Sequence, residues 1–276
     1  MSKLELLTGK AHLSYSAVDS LAQCGERFRL ERVARVPQQP AWWFIGGSAF
    51  HLASEYIDSC LFGDLDDDYD LEPLWQQAWN IAYRDAIGDT DPKKIRAGGR
   101  SSKEWPDREN DKWWEHHLPK MVEAYRTKMR QMLADGWLLW EPVPEQPAIE
   151  LPFSFTIEDV LFKGAIDRVF INPDGELVVV DIKTGSRQPE ASMQLGVYSV
   201  AIEKIFGVKP ILGQYYMARK AELTDQVSLL HYNQDMLYRI FNTAKRMIEE
   251  EIFLPHVSSL CNACGVREYC TAMASQ

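Results

Sequence analysis

Two hydrophobic patterns divide the chain. Up to about Phe62, and again from residue 71 to 140, apolar positions recur at helical spacing; from Ile149 onward they alternate or run together as strands do. Ser16 and Asp19 predict a first helix opened by a variant capping box, with Gly25 after Cys24 as its stop. A second helix is expected from Ser48 to Leu61, following Gly46 and Gly47. The acidic run Asp64, Asp66, Asp67, Asp68 and Asp70 reads as a solvated loop. The tryptophan-rich helical stretch after it is broken by a polar loop from Asp89 to Pro106, where Gly98 and Gly99 predict mobility. Beyond the proline-rich piece EPVPEQP, strands are expected in IELPFSFTI, VLFKGAIDRVFI and ELVVVDIKT. A helix from Glu190 to Phe206, strands Ile211 to Met217 and Val227 to Tyr232, and a helix from Gln234 to Glu251 complete the pattern.

Strands flanked by helices at both ends predict one α/β domain. Its parts are N-terminal helices over 1–63, a helical insertion over 64–148, a core over 149–232, and a final helix with a cysteine cluster over 233–276. A net charge of −10 argues against a protein that coats nucleic acid non-specifically. It leaves room for a carboxylate-lined site, with any nucleic-acid groove confined to a local basic patch. No apolar run approaches the ~18 residues of a membrane span, and the opening MSKLELLTGK carries no apolar stretch of a secretory signal. The expectation is a soluble, cytoplasmic protein without a membrane partner.

The sharpest chemistry lies in the hairpin from Lys163 to Lys183. Asn172-Pro173-Asp174-Gly175 suits a type I turn with Gly175 left-handed, giving a three-residue loop with a bulge. Asn172 then faces Glu176, and stepping along the ladder places Asp167 directly opposite Asp181. Lys183 shares the face of Asp181 because side chains alternate along a strand. A loop one residue shorter or longer would put the two acids on opposite faces. Two adjacent carboxylates repel each other and invite a divalent cation such as Mg²⁺ or Mn²⁺. A lysine beside them can orient an attacking water or offset charge developing at phosphorus.

Three cysteines, Cys261, Cys264 and Cys270, crowd the tail, and Cys24 is the candidate fourth. In a reducing compartment that grouping points to metal ligation before disulfides. Spacing alone leaves zinc and an iron–sulfur cluster both open. Cys60, at an apolar helix end, is expected to be a packed free thiol.

GAIDR followed by VVVDIKTG resembles the RecB-like branch of the PD-(D/E)xK nuclease superfamily. His51 in GGSAFHLASE resembles the branch's upstream helical histidine, Gln194 and Tyr198 its Q-x-x-x-Y signature, and LSYSAVDSLAQCGERFRL its entry helix. The resemblance implies a restriction-endonuclease-like fold, a central mixed sheet flanked by helices. His51, Asp167, Asp181 and the carbonyl of Ile182 would hold Mg²⁺ or Mn²⁺, and Lys183, Gln194 and Tyr198 would complete the catalytic set. The early cysteine and late C-x-x-C-x(5)-C match the iron–sulfur members of the branch, including the CRISPR-associated Cas-four-type exonucleases. That implies a structural [4Fe–4S] cluster on Cys24, Cys261, Cys264 and Cys270, closing the tail on the first helix, with Zn²⁺ as the alternative. Two departures stand out: Gly25 follows the early cysteine where proline is common, and the second acid is Asp181 rather than glutamate.

The implied activity is a metal-dependent DNA exonuclease acting on single-stranded or free ends, with a 5′→3′ preference. A separate helicase, recombination or CRISPR-adaptation partner would belong to it, in a bacterial, archaeal or phage-infected cytoplasm. The alternative is a non-catalytic DNA-binding or scaffold protein retaining the fold. For DNA contact, the candidates are Lys93 to Lys103 with Trp105, Trp113 and Trp114 behind, and the arginines Arg27, Arg29, Arg32 and Arg35.

Overall fold

A computed structural model describes residues 1–63 and 68–273. Helices α1 (Lys3–Thr8), α2 (Tyr15–Gln23), α3 (Gly25–Phe28), α4 (Trp42–Phe62), α5 (Leu71–Ile87) and α6 (Asp111–Ala134) precede the sheet. Strands β1 (Leu138–Leu139), β2 (Ile149–Ile157), β3 (Val160–Ile171) and β4 (Leu177–Lys183) follow. The chain then runs through α7 (Met193–Phe206), β5 (Leu212–Met217), β6 (Glu222–Leu223), β7 (Val227–Ser228) and α8 (Gln234–Glu249). Asp64, Asp66 and Asp67 of the acidic run lie outside the described residues; Asp70 caps α5, its Oδ1 accepting from Glu72 N–H at 2.9 Å.

The strands form one mixed sheet with path β1-β3-β4-β5-β6, β2 pairing with β3 and β7 with β5. Only β4 and β5 run parallel, joined by the α7 crossover; the other pairs are antiparallel. Alternation along β4 feeds two cores. Val178, Val180 and Ile182 pack with α4 and α6 on one face, and Val179 packs with α2, α7 and α8 on the other. This is the α/β mixed sheet flanked by helices that the sequence predicts.

The hairpin register is as expected. Arg168 pairs with Val180 and Ile171 with Leu177, Asn172 N–H donates to the Glu176 carbonyl at 2.9 Å, and Gly175 sits at φ +81°. Other boundaries differ. The first helix is capped by Ser14, whose Oγ accepts from Ala17 N–H, rather than by Ser16. Gly25 does not end it in a left-handed turn but begins α3; a Cβ there would lie 2.7 Å from the backbone nitrogen of Leu254, so glycine admits the returning tail. Helix α4 starts at Trp42, with Gly46 and Gly47 inside it instead of before it. At Gly46 a Cβ would fall 2.1 Å from the Trp114 ring, so the glycine is a packing notch and not a breaker. The last strand is only Val227–Ser228, because Tyr232 N–H turns back to the Leu229 carbonyl.

Among the described residues no helix is long and apolar enough to cross a membrane. The tail closes on the N-terminal helices. Gly25 N–H donates to the Leu254 carbonyl at 2.9 Å, His256 N–H to Cys24 Sγ at 3.3 Å, and Ser258 N–H to Cys261 Sγ at 3.4 Å. Cys60 is buried in α4, as expected of a packed thiol.

Candidate metal centre

Strand parity brings Asp167 and Asp181 to one face of the hairpin. Ile182 N–H donates to Asp167 Oδ2 at 2.8 Å. In a strand the carbonyl of a residue points the same way as its own N–H, so the Ile182 carbonyl also opens toward Asp167. Asp181 is 1% exposed, and neither of its oxygens has a hydrogen-bond partner of good geometry. Among the described residues its ion-pair partner is Lys183, Nζ to Oδ2 at 2.7 Å. Burial, and after it the charge of Asp167, pushes the Asp181 carboxyl up to about 7. A buried acid with orphaned oxygens is costly to keep as a carboxylate unless a cation shares it. The residues present therefore fit a divalent ion.

Lys183 is held from its other side by Gln194. Its Nζ donates to Gln194 Oε1 at 2.8 Å, and Gln194 Nε2 donates to the Tyr198 hydroxyl at 2.8 Å. The four-residue spacing puts Gln194 and Tyr198 on one face of α7, which lies under this end of the sheet.

His51 enters from α4, its Nδ1 at 3.9 Å from Asp167 Oδ2 and 3.3 Å from Glu150 Oε1. Among the described residues, His51, Glu150 and Asp167 form the one set of three His, Cys, Asp or Glu ligand atoms mutually within 4.8 Å. The expected set of His51, Asp167 and Asp181 is thus only partly gathered here: Asp181 is drawn toward Lys183, and Glu150 stands beside His51 instead. Burial works against a charged His51, but the bond to Glu150 and the charge of Asp167 outweigh it and raise its pKa. Burial likewise disfavours a charged Glu150, yet His51 and Arg168 together lower its pKa.

Glu150 is the site residue that sequence reasoning missed. Ile149 pairs with Arg168 and Leu151 with Ile166, which sets Glu150 opposite Asp167. Its φ is +44°, a left-handed value that a glutamate adopts at a cost of roughly 1–3 kcal/mol. Behind it, buried Arg168 donates from one guanidinium nitrogen to Glu150 Oε1 (3.4 Å) and to the Asp167 carbonyl (2.6 Å). The same guanidinium pairs with Asp58 and donates to Ser54 Oγ at 3.0 Å. Glu150→Gln keeps the shape and removes the charge, so Mn²⁺ affinity measured by calorimetry should fall about tenfold. Unchanged affinity would exclude Glu150 as a ligand.

Two of the candidate nucleic-acid contacts, Trp113 and Trp114, are core residues. Trp114 is 0% and Trp113 8% exposed, so neither can stack a base; Arg219 lies over the Trp113 ring at 4.6 Å. The polar loop is tied down as well. Glu109 takes a forked pair of bonds from Arg219 at 2.7 and 3.0 Å, Arg219 Nε donates to the Thr184 carbonyl, and Glu109 N–H donates to the Gly98 carbonyl. Of the early arginines, Arg27 is paired with Glu31 and Arg29 with Glu26.

The family model for the PD-(D/E)XK nuclease superfamily matches residues 12–271. Gene 69 protein of Mycobacterium phage D29 is 27% identical, over 93% of this chain and 95% of its own. Gene 69 protein of Mycobacterium phage L5 is 25% identical over the same shares. The crystal structure of SSO0001 aligns with 98% of this chain and 93% of its own at a TM-score of 0.41 and 12% identity, too distant to inform function.

Proposed function

Because this chain belongs to the PD-(D/E)XK nuclease superfamily, we propose that it is a Mg²⁺- or Mn²⁺-dependent deoxyribonuclease working as an exonuclease on single-stranded or free DNA ends. The observation that carries this reading is Asp181, buried beside Asp167 with no hydrogen bond of good geometry and only Lys183 paired to it. A divalent ion supplies charge that stabilises the phosphoryl transition state. Asp167, Asp181, the Ile182 carbonyl and His51 would hold it, with Glu150 as an added ligand. Lys183, fixed between Asp181 and Gln194, would orient an attacking water or neutralise charge on a non-bridging phosphate oxygen. Tyr198 anchors Gln194 and so limits the swing of Lys183.

Cleavage of 5′- and 3′-labelled single- and double-stranded oligonucleotides with Mn²⁺ tests this. End-dependent shortening of single strands is expected, with label release giving the polarity. Binding without cleavage would favour the DNA-binding scaffold instead.

The second part of the proposal is a structural [4Fe–4S] cluster on Cys24, Cys261, Cys264 and Cys270. It is supported by the motif resemblance and by the tail's return to Cys24, where backbone N–H groups point at Cys24 and Cys261. Anaerobically purified protein should be brown with about four irons per chain, and Cys24→Ser should lose both the colour and thermal stability. A colourless, zinc-loaded protein would refute the cluster.

A further inference from the structure

Two cavities of about 790 Å³ and 750 Å³ share the residues Trp43, Phe44 and Ala86. The first is the cleft of the metal centre, reaching His51, Glu150 and Lys183. The second runs between α2 and the cysteine tail and is lined by Arg27, Arg32 and Arg96. They meet at these residues, with His51, Glu150 and Lys183 on one side and, on the other, Arg27, Arg32 and Arg96 beside the acids Asp19 and Glu31. At the junction, on the first turn of α4, Phe44 is 55% exposed. Trp43 supports it, ring centroids 5.5 Å apart, and Arg96 braces Trp43 from 4.8 Å.

The arginines of the second cavity suit phosphates. Arg96 gives its N–H groups to the backbone carbonyls of Gln39 and Ala263 and forms no carboxylate ion pair among the described residues. Arg32, half-buried in the same lining, likewise has no carboxylate ion pair among the described residues. Of the three arginines lining the cavity, Arg27 is the one paired with a carboxylate, that of Glu31. An aromatic ring between a hydrolytic centre and a groove carrying arginines matches a strand that alternates bases with phosphates.

Resting on the nuclease reading above, we propose that Phe44 stacks an unpaired base of a single-stranded substrate, with phosphates away from the scissile bond tracking to Arg32 and Arg96. Duplex bases are already stacked on their neighbours and offer Phe44 no free face. The paired cavities therefore select single strands, and Phe44 sets how the strand is gripped as it enters the metal centre.

The test reads binding in EDTA, so it is independent of cleavage. Oligonucleotides carrying 2-aminopurine at successive positions from one end are titrated with the full chain, Phe44→Ala and Phe44→Tyr, alongside a blunt duplex. Phe44→Ala should weaken single-strand affinity about tenfold and abolish quenching at one probe position. Phe44→Tyr should retain both, and duplex affinity should not change. Arg32→Gln should flatten the salt dependence of single-strand binding by about 0.7 in log–log slope. Equal single-strand affinity for Phe44→Ala and the native chain, an equal loss on duplex, or an unchanged slope for Arg32→Gln would overturn the proposal. Absence of cleavage in the native chain would sink the nuclease reading and leave this measurement standing.

Discussion

Asp181→Asn should reduce cleavage at least ~10³-fold while making the metal-free protein more stable at pH 8. The two effects have one cause. Asp181 is buried, its carboxyl is pushed up to about 7 by burial and then by Asp167, and apart from the Lys183 ion pair its oxygens have no hydrogen-bond partner of good geometry. In the unfolded chain the same carboxyl titrates near an ordinary ~3.9. Between those values the folded state binds more protons than the unfolded state, so this group's contribution to stability falls as pH rises through the interval. The cost is absent below the unfolded value and fully present above about 7. Asparagine never bears it. The gain in melting temperature over the native chain should therefore be largest at pH 8 and shrink toward pH 4. Mn²⁺ should stabilise the native protein far more than the variant, since the ion offsets a charge the variant lacks. If Asp181 served only as an ion-pair partner for Lys183, the variant would instead be less stable at pH 8. Differential scanning calorimetry across pH, with and without Mn²⁺, separates the two by sign, and retained cleavage would refute the metal assignment outright.

How much of this could be read in the sequence depends on how local the determining interactions are. The Asn172-to-Gly175 turn fixes the hairpin register through its own dihedrals, and alternation then carries Asp167, Asp181 and Lys183 to one face. Gln194 and Tyr198 meet by helical spacing alone. Glu150 had no such signal. Within IELPFSF it reads as a solvent-facing position of an amphipathic strand, and only the pairing of β2 with β3 and an unusual φ aim it at His51. The start of α4 was hidden for a related reason. Gly46 looks like a breaker until Trp114, far along the chain, is seen packed into the space its missing side chain leaves. Trp113 and Trp114 are core because the insertion folds onto α4, whereas Phe44, half-exposed in the cleft, carries no sequence signal that sets it apart.

Arg168 has the second large expected effect, and it divides between fold and site. Its side chain is wholly buried, paired with Asp58, whose Oδ2 also accepts from the Tyr125 hydroxyl at 2.6 Å. Arg168→Met strands the Asp58 carboxylate in the core, which should cost about 3–5 kcal/mol, or roughly 10 °C in melting temperature for a chain of this size. Adding Asp58→Asn removes the stranded charge and keeps an acceptor for Tyr125, so the double variant should regain most of the loss. Activity should not return with it. The guanidinium that bridges Glu150 Oε1 and the Asp167 carbonyl is gone. Glu150 would then keep only its His51 contact at 3.3 Å and its place in the β2–β3 ladder. The measurement is a comparison of thermal unfolding with Mn²⁺-dependent cleavage for the single and double variants. A double variant that is both stable and fully active would confine Arg168 to packing; one that is stable but slow, with weakened Mn²⁺ affinity, would place it behind the metal centre as the group that positions Glu150.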